Sequence, residues 1–345
     1  MKSRFLAFAG TAIAIALPIT AQRATPGTGA QRATSGTVAQ RATSNKTNWT
    51  QPRTPDGQPD LQGVWTNSTM TPVERPAEFE GKPTLSEAEA VAWEKKTATG
   101  RNRDQRSSDP EVDVGRAYNE LFFDQGDKLA RVDGTARTSM IIDPADGRIP
   151  ALTAEAQKRM DAVRNYARLH PADGPESRSL PERCIFWPTA GPPMLPGPYN
   201  NNYQIYQTPG YVTIYSEMIH ETRVIPLDGR PHLPATVRKW LGDSRGRWDG
   251  NTLVVDTTNF NDKTRFRGSD ENLHVIERFT RVSPTTILYK FTIDDPTAFT
   301  KPWTGETPLV AQEGPVYEYA CHEGNYAMVD ILAGARAQEK KESGK

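Results

Sequence analysis

The sequence predicts a mainly β protein: an antiparallel meander closing into a barrel-like or strongly curved sheet, with a few peripheral α-helices and long loops. Three observations carry that expectation. Asp249-Gly250 sits between Arg247-Trp248 and the β-branched run Thr252–Thr258, and Asp-Gly readily adopts the positive φ angles of a tight hairpin. A second strand pattern, His274–Arg281, is followed by the turn residues Ser283-Pro284-Thr285-Thr286 and a third strand, Ile287–Ile293. Connections this short leave only antiparallel neighbours, since a parallel crossover needs about a dozen residues or more. Further strand patterns occur at Tyr203–Tyr206, at Gly210–Ser216, and from His220 to Ile225. Others begin at Val310 and span Tyr317–His322 and Tyr326–Ile331. Seven or more sequentially paired strands favour closure, which removes exposed edges.

Taken from the start, the chain opens with Lys2 and Arg4, an apolar run Phe5–Ile19 and a small residue, Ala21, before Gln22. That order predicts a signal peptide over residues 1–21 and a periplasmic or secreted protein. The run is shorter than the roughly 20 residues of a membrane-spanning helix, so no stable membrane insertion is expected after its removal. Residues 22–48 carry a polar near-repeat, Ala-Gln-Arg-Ala-Thr, restarting at Ala21, Ala30 and Ala39. It lacks the apolar ladder of a stacked repeat and reads as a disordered linker.

A single β-rich domain is expected over 49–335, with an irregular part at 49–198, a meander at 199–335 and a charged tail at 336–345. Asp60–Trp65 enters a first strand, and Ser86-x-x-Glu89 predicts a capping box ahead of a helix reaching about Lys96. Arg101–Glu111 is too charged for the core and reads as an exposed loop, and Tyr118–Phe123 and Thr138–Ile142 as strands. Thr153 caps a second helix with Ala156, Met160, Val163 and Ala167 at helical spacing, ended at His170-Pro171. Gly191–Pro198 is dense enough in proline to predict a rigid loop, one of many implied by 28 prolines and 26 glycines.

Charge excludes one broad class. The 42 basic and 42 acidic residues balance, and nucleic-acid binding needs a basic footprint. No G-x-S-x-G elbow, P-loop or dinucleotide turn is present, and no residue pattern calls for a cofactor. Cys184 and Cys321 lack C-x-x-C spacing. In an oxidising compartment they form a disulfide closing a loop long enough to contribute about 4–5 kcal/mol; otherwise they are two buried thiols.

Candidate chemistry rests on a few polar residues in strand patterns. His220-Glu221 and His322-Glu323 lack the second histidine of a zinc-protease helix, and no metal is expected. With alternate residues sharing a face, His220 falls on the side of Ile214, Met218 and Val224, where burial could tune it as an acid or base. Its carboxylate partner would be Glu277 or Asp256. A satisfied histidine bridging strands is the alternative. Arg223, His274, His322, Tyr289 and Trp240 are candidate contacts for a small, partly apolar ligand.

Two resemblances add to this. Pro59–Trp65, Arg137-Thr138-Ser139 with Asp143-Pro144, Trp248–Val255 and Cys321–Tyr326 together resemble a family of exported bacterial proteins of unassigned activity. Gly63-x-Trp65 is similar to the lipocalin-type (calycin) barrels, although helices and loops here separate that motif from the main meander. That resemblance implies a tryptophan packed across the barrel base and a small apolar ligand. The expectations are therefore a ligand-binding domain, a cofactor-independent lyase, isomerase or hydrolase with a His–carboxylate pair, or an envelope interaction protein.

Overall fold

The computed structural model describes residues 49–102, 104–115 and 123–344. The expected signal peptide, the repeat linker and nearly all of the strand expected at Tyr118–Phe123 lie outside them. The described chain forms β1 (Gly63–Thr66), β2 (Thr84–Leu85), α1 (Glu87–Arg101), α2 (Pro110–Gly115), β3 (Arg131–Val132), β4 (Thr135–Arg137), β5 (Ile141–Asp143) and α3 (Ala154–Leu169). There follow β6 (Asn202–Thr208), β7 (Tyr211–Ser216), β8 (Thr222–Pro226), β9 (Asp243–Asp249), β10 (Thr252–Thr258), β11 (His274–Ser283), β12 (Thr286–Asp294), β13 (Trp303–Ala311) and α4 (Tyr326–Glu342).

Nine strands form one antiparallel sheet in the order β8-β7-β6-β1-β13-β12-β11-β10-β9, and β5 adds to β13. The expected Asp-Gly turn joins β9 to β10, with Gly250 at φ 59°. Two runs of hairpins, β6–β8 and β9–β13, meet at β1. There Trp65 lies opposite Tyr203 of β6 on one side and Ala311 of β13 on the other. The sheet curls until β8 approaches β9. No ladder joins those two strands among the described residues; instead Ile225 and Leu227 pack onto Gly246, where a Cβ would sit 2.8 and 2.6 Å from their methyl groups. The result is a nearly closed barrel, as the strand count predicts.

Alternation fixes which side chains enter it. Tyr203, Ile205, Val212, Ile214, Arg223, Ile225, Leu253, Val255, Val275, Glu277, Phe279, Tyr289, Phe291, Trp303 and Leu309 are all buried. Phe291 lies over Gly305, its cross-strand partner, where any Cβ would fall 2.3 Å from the ring. The proline-rich segment, expected as a rigid loop, runs into this barrel, with residues 189–195 all buried. Tyr203 Oη donates to Thr189 O at 2.6 Å, Asn67 Nδ2 donates to Met194 O at 3.2 Å, and Met194 N donates to Tyr289 Oη at 2.9 Å. The lumen is thus packed with the chain's own residues.

Outside the barrel, β2-β4-β3 and α1 enclose a smaller core of Met70, Leu85, Ala90, Leu129 and Ala136. Ser86 caps α1 in the expected box, its backbone N–H donating to Glu89 Oε2 at 2.9 Å; the helix runs on to Arg101. Thr153 caps α3 by accepting from Ala156 N at 3.1 Å. Its hydroxyl also donates to Thr297 O at 2.8 Å, fixing the helix to the loop after β12.

Three sequence expectations are corrected. Residues 317–322 form no strand, and 326–331 begin α4, so most of the expected charged tail is the end of a helix. The exposed loop expected at Arg101–Glu111 is found, by contrast: its described residues between Arg101, the end of α1, and Pro110, the start of α2, are non-helical and mostly exposed. His220 is in no strand: Met218–His220 is a 3-10 turn between β7 and β8, with Ile219 at φ 56° and His220 at φ 45°. Local sequence does not announce a β-branched residue at positive φ, and this turn reverses the face assignment beyond it. Arg223 points inward, and Val224 and His220 are exposed.

Cys184 and Cys321 form a disulfide, with Cα atoms 5.8 Å apart and a sequence separation of 137. It joins the turn after α3 to the segment leading into α4. Arg336 of α4 reinforces the junction by donating to the carbonyls of Ala172 and Asp173, both at 2.9 Å.

Candidate functional site

Apart from Trp240, the residues singled out from sequence fall into three separate groups. Inside the barrel, Arg223 of β8 meets Glu277 of β11 in a bidentate pair. Arg223 Nη1 donates to Glu277 Oε1 at 3.0 Å, and Nη2 donates to Oε2. Tyr289 of β12 donates its hydroxyl to Glu277 Oε1 at 2.8 Å. All three are buried; burial, then the adjacent Glu277 charge, pushes the Tyr289 hydroxyl well above its ordinary value. Both oxygens of Glu277 are committed, so the carboxylate is not free to take a proton from a substrate. Its hydrogen-bond partners do not include His220.

On the outer face of the sheet, Asp256 of β10 accepts from two histidines. His274 Nε2 lies 3.0 Å from Asp256 Oδ2, and His232 Nε2 lies 3.0 Å from Oδ1. The other His232 nitrogen faces Asp243 Oδ2 at 3.1 Å. Asp243 is buried and further held by Lys239, Arg245 and the Leu233 N–H. Hydrogen bonding to Asp256 raises the His274 pKa, and hydrogen bonding from His274 lowers that of Asp256. Asp256 and His274, both sequence candidates, are brought together; His232 and Asp243 were not assigned this role. Their link needs the 231–243 segment to fold back beside β10, which no local pattern reveals.

The third group lies by the disulfide. His220 Nδ1 is 3.2 Å from Tyr319 O, and the His220 and His322 rings are 6.4 Å apart, both exposed. An open cavity of about 370 Å³ beside them is lined by Glu182, Glu318, Tyr319, Gly324, Asn325 and the disulfide. Trp240 is half-buried elsewhere, its carbonyl accepting from the Thr264 hydroxyl at 2.9 Å.

A further concave site involves none of the sequence candidates. Between α3 and the loop 265–270 lies a cavity of about 170 Å³, lined by Arg159, Met160, Val163, Arg164, Arg265, Arg267, Gly268, Ser269 and Asp270. Met160 and Val163 come from the helical stripe that the sequence does show. The loop is built by a reciprocal pair of backbone bonds, Phe266 N to Ser269 O at 3.0 Å and Ser269 N to Phe266 O at 2.9 Å. Phe266 is buried against Trp303, their ring centroids 6.1 Å apart. Gly268, at φ 108°, lies against Leu152 and Met160, where a Cβ would be 2.7 Å from a Leu152 methyl. The signal for this wall was present as Arg265-Phe266-Arg267, an aromatic residue flanked by two cations.

No family model, curated protein or solved structure matches this chain. Among the described residues, no helix is long and apolar enough to cross a membrane.

Proposed function

We infer that this is a periplasmic or secreted, lipocalin-like domain that binds a small, partly apolar ligand, and that it does so in the groove between α3 and loop 265–270. The observation that carries this reading is the groove itself: an apolar floor of Met160 and Val163 bordered by a few polar and charged groups, the usual composition of a small-molecule site. Its volume falls below the about 300–1,000 Å³ of larger ligand pockets, so the occupant is small. The lumen is a poorer candidate, because residues 189–195 and the inward aromatics fill it. The nearly closed antiparallel barrel is what supports the lipocalin-like part of the reading. The intramolecular disulfide supports an oxidising compartment.

The test is saturation-transfer NMR on the full chain with short amphipathic probes such as hexanoate and hexanamide. Val163→Trp, on a partly exposed face of α3, is expected to fill the groove and abolish transfer while leaving the circular dichroism spectrum intact. Undiminished transfer to that variant would overturn the assignment.

A further inference from the structure

We propose that the groove recognises an oxyanion: its ligand is a small carboxylate or phosphate monoester whose apolar tail lies on Met160 and Val163. The inference rests on the ligand-binding reading above and adds the chemistry of the head group.

Four arginines border the groove, and they are not equivalent. Arg159 pairs with Asp270 at 3.3 Å and donates to the carbonyls of Gly268 and Thr297, both at 3.3 Å. Arg164 pairs with Asp161. Arg265 and Arg267 have no ion-pair or side-chain hydrogen-bond partner among the described residues. Phe266 between them is turned into the core, while Arg265 and Arg267 are both exposed and line the groove. Two guanidinium groups without an ion-pair partner among the described residues thereby border an apolar groove whose lining carboxylate, Asp270, is taken by Arg159.

The loop maintains this arrangement against local preferences. Arg267 adopts φ 52° and Gly268 φ 108°; a non-glycine residue in that region is uncommon, and such strain concentrates at functional positions. Surrounding protein lowers the Arg267 pKa from its ordinary value through desolvation, which the charge of Glu74 only partly offsets. Ser269 lines the same groove and is 1% exposed, and its hydroxyl has no hydrogen-bond partner among the described residues. Guanidinium groups match carboxylate and phosphate oxygens through paired N–H donors, and a serine hydroxyl can donate to the same oxygens. An anion supplies what each of these groups lacks.

Titration of the full chain followed by NMR tests the proposal, using hexanoate, hexyl phosphate and the neutral isostere hexanamide. Hexanoate or hexyl phosphate is expected to bind at least about tenfold more tightly than hexanamide, as expected for one charge-assisted hydrogen bond. The tighter of the two anions identifies the head group. In the double variant Arg265→Gln/Arg267→Gln the preference for anion over amide is expected to vanish, with hexanamide affinity unchanged. Arg247→Gln, on β9 away from the groove, is expected to preserve the preference. Equal affinity for hexanoate, hexyl phosphate and hexanamide in the unmodified protein would overturn the oxyanion inference while leaving the ligand-binding reading intact. If none of the three binds, both readings fail.

Discussion

Arg223 and Glu277 form a bidentate ion pair across the barrel interior, linking β8 to β11, two strands that are not hydrogen-bonded neighbours. The pair spans the closing seam between β8 and β9, so it acts as a tie where the ladder is missing. Tyr289 completes it from β12.

Breaking this tie from one side leaves a buried charge without its partner. Arg223→Met is expected to destabilise the fold by about 3–5 kcal/mol, read as a lower denaturation midpoint. Replacing both charges, as Arg223→Met/Glu277→Leu, is expected to recover most of that loss, because an apolar pair avoids the desolvation cost. A double variant as unstable as the single one would show that the pair is not a self-contained unit.

Reduction of Cys184–Cys321 opens a loop of 137 residues. In the chain-entropy account this lowers stability by about 4–5 kcal/mol, and thermal melts with and without reductant measure it. The loss is expected to be accompanied by faster amide exchange in α4, which has no buried residue and is tied to the rest of the chain by the disulfide, by Asn325 and by Arg336. Unchanged exchange there would show that Arg336 and Asn325 suffice.

The Asp256–His274 contact makes stability depend on pH in two directions. The folded His274 pKa is raised above 6.5, so its contribution is complete below about pH 6.5 and is lost as pH rises through the folded value. Asp256 is depressed below 3.8, so its contribution is present above about pH 3.8 and is lost as pH falls through the folded value. The contact therefore stabilises most between those limits. The stability difference between the unmodified protein and His274→Gln is expected to peak there and shrink toward pH 8. A flat difference from pH 5 to pH 8 would contradict the linkage.

Much of the fold is legible in the sequence because turn chemistry and strand period agree with it. Asp249-Gly250 places β9 against β10, and Ser283–Thr286 places β11 against β12. Misreadings occur where the decisive signal lies outside the segment itself or in a turn with no sequence signature. Tyr326–Ile331 has the apolar content of a strand, but the alanines that follow, through Ala337, and the lysines at 340 and 341 favour a helix with cations in its last turn. The turn at Ile219 and His220 shifts alternation by one residue, which exchanges His220 for Arg223 as the inward group. Glu277 and Tyr289 were legible as strand residues, but their meeting with Arg223 depends on the closure of the sheet. The groove escaped notice because its helix and its loop are about a hundred residues apart in sequence.

β1 is four residues long, yet among the described residues it alone supplies the backbone ladders that join the β6–β8 hairpins to the β9–β13 hairpins. Residue 65 must find residue 203 on one side and residue 311 on the other. A chain emerging N-terminus first can therefore pair its keystone strand on at most one side, with β6, until the last strand of the sheet has arrived. The hairpins can form early and locally, but the barrel itself can assemble only at the end, with the long loop closures and slow folding that such distant contacts impose. Until then two open sheet edges remain exposed, which makes nascent and truncated forms of this protein the ones most prone to pair with one another.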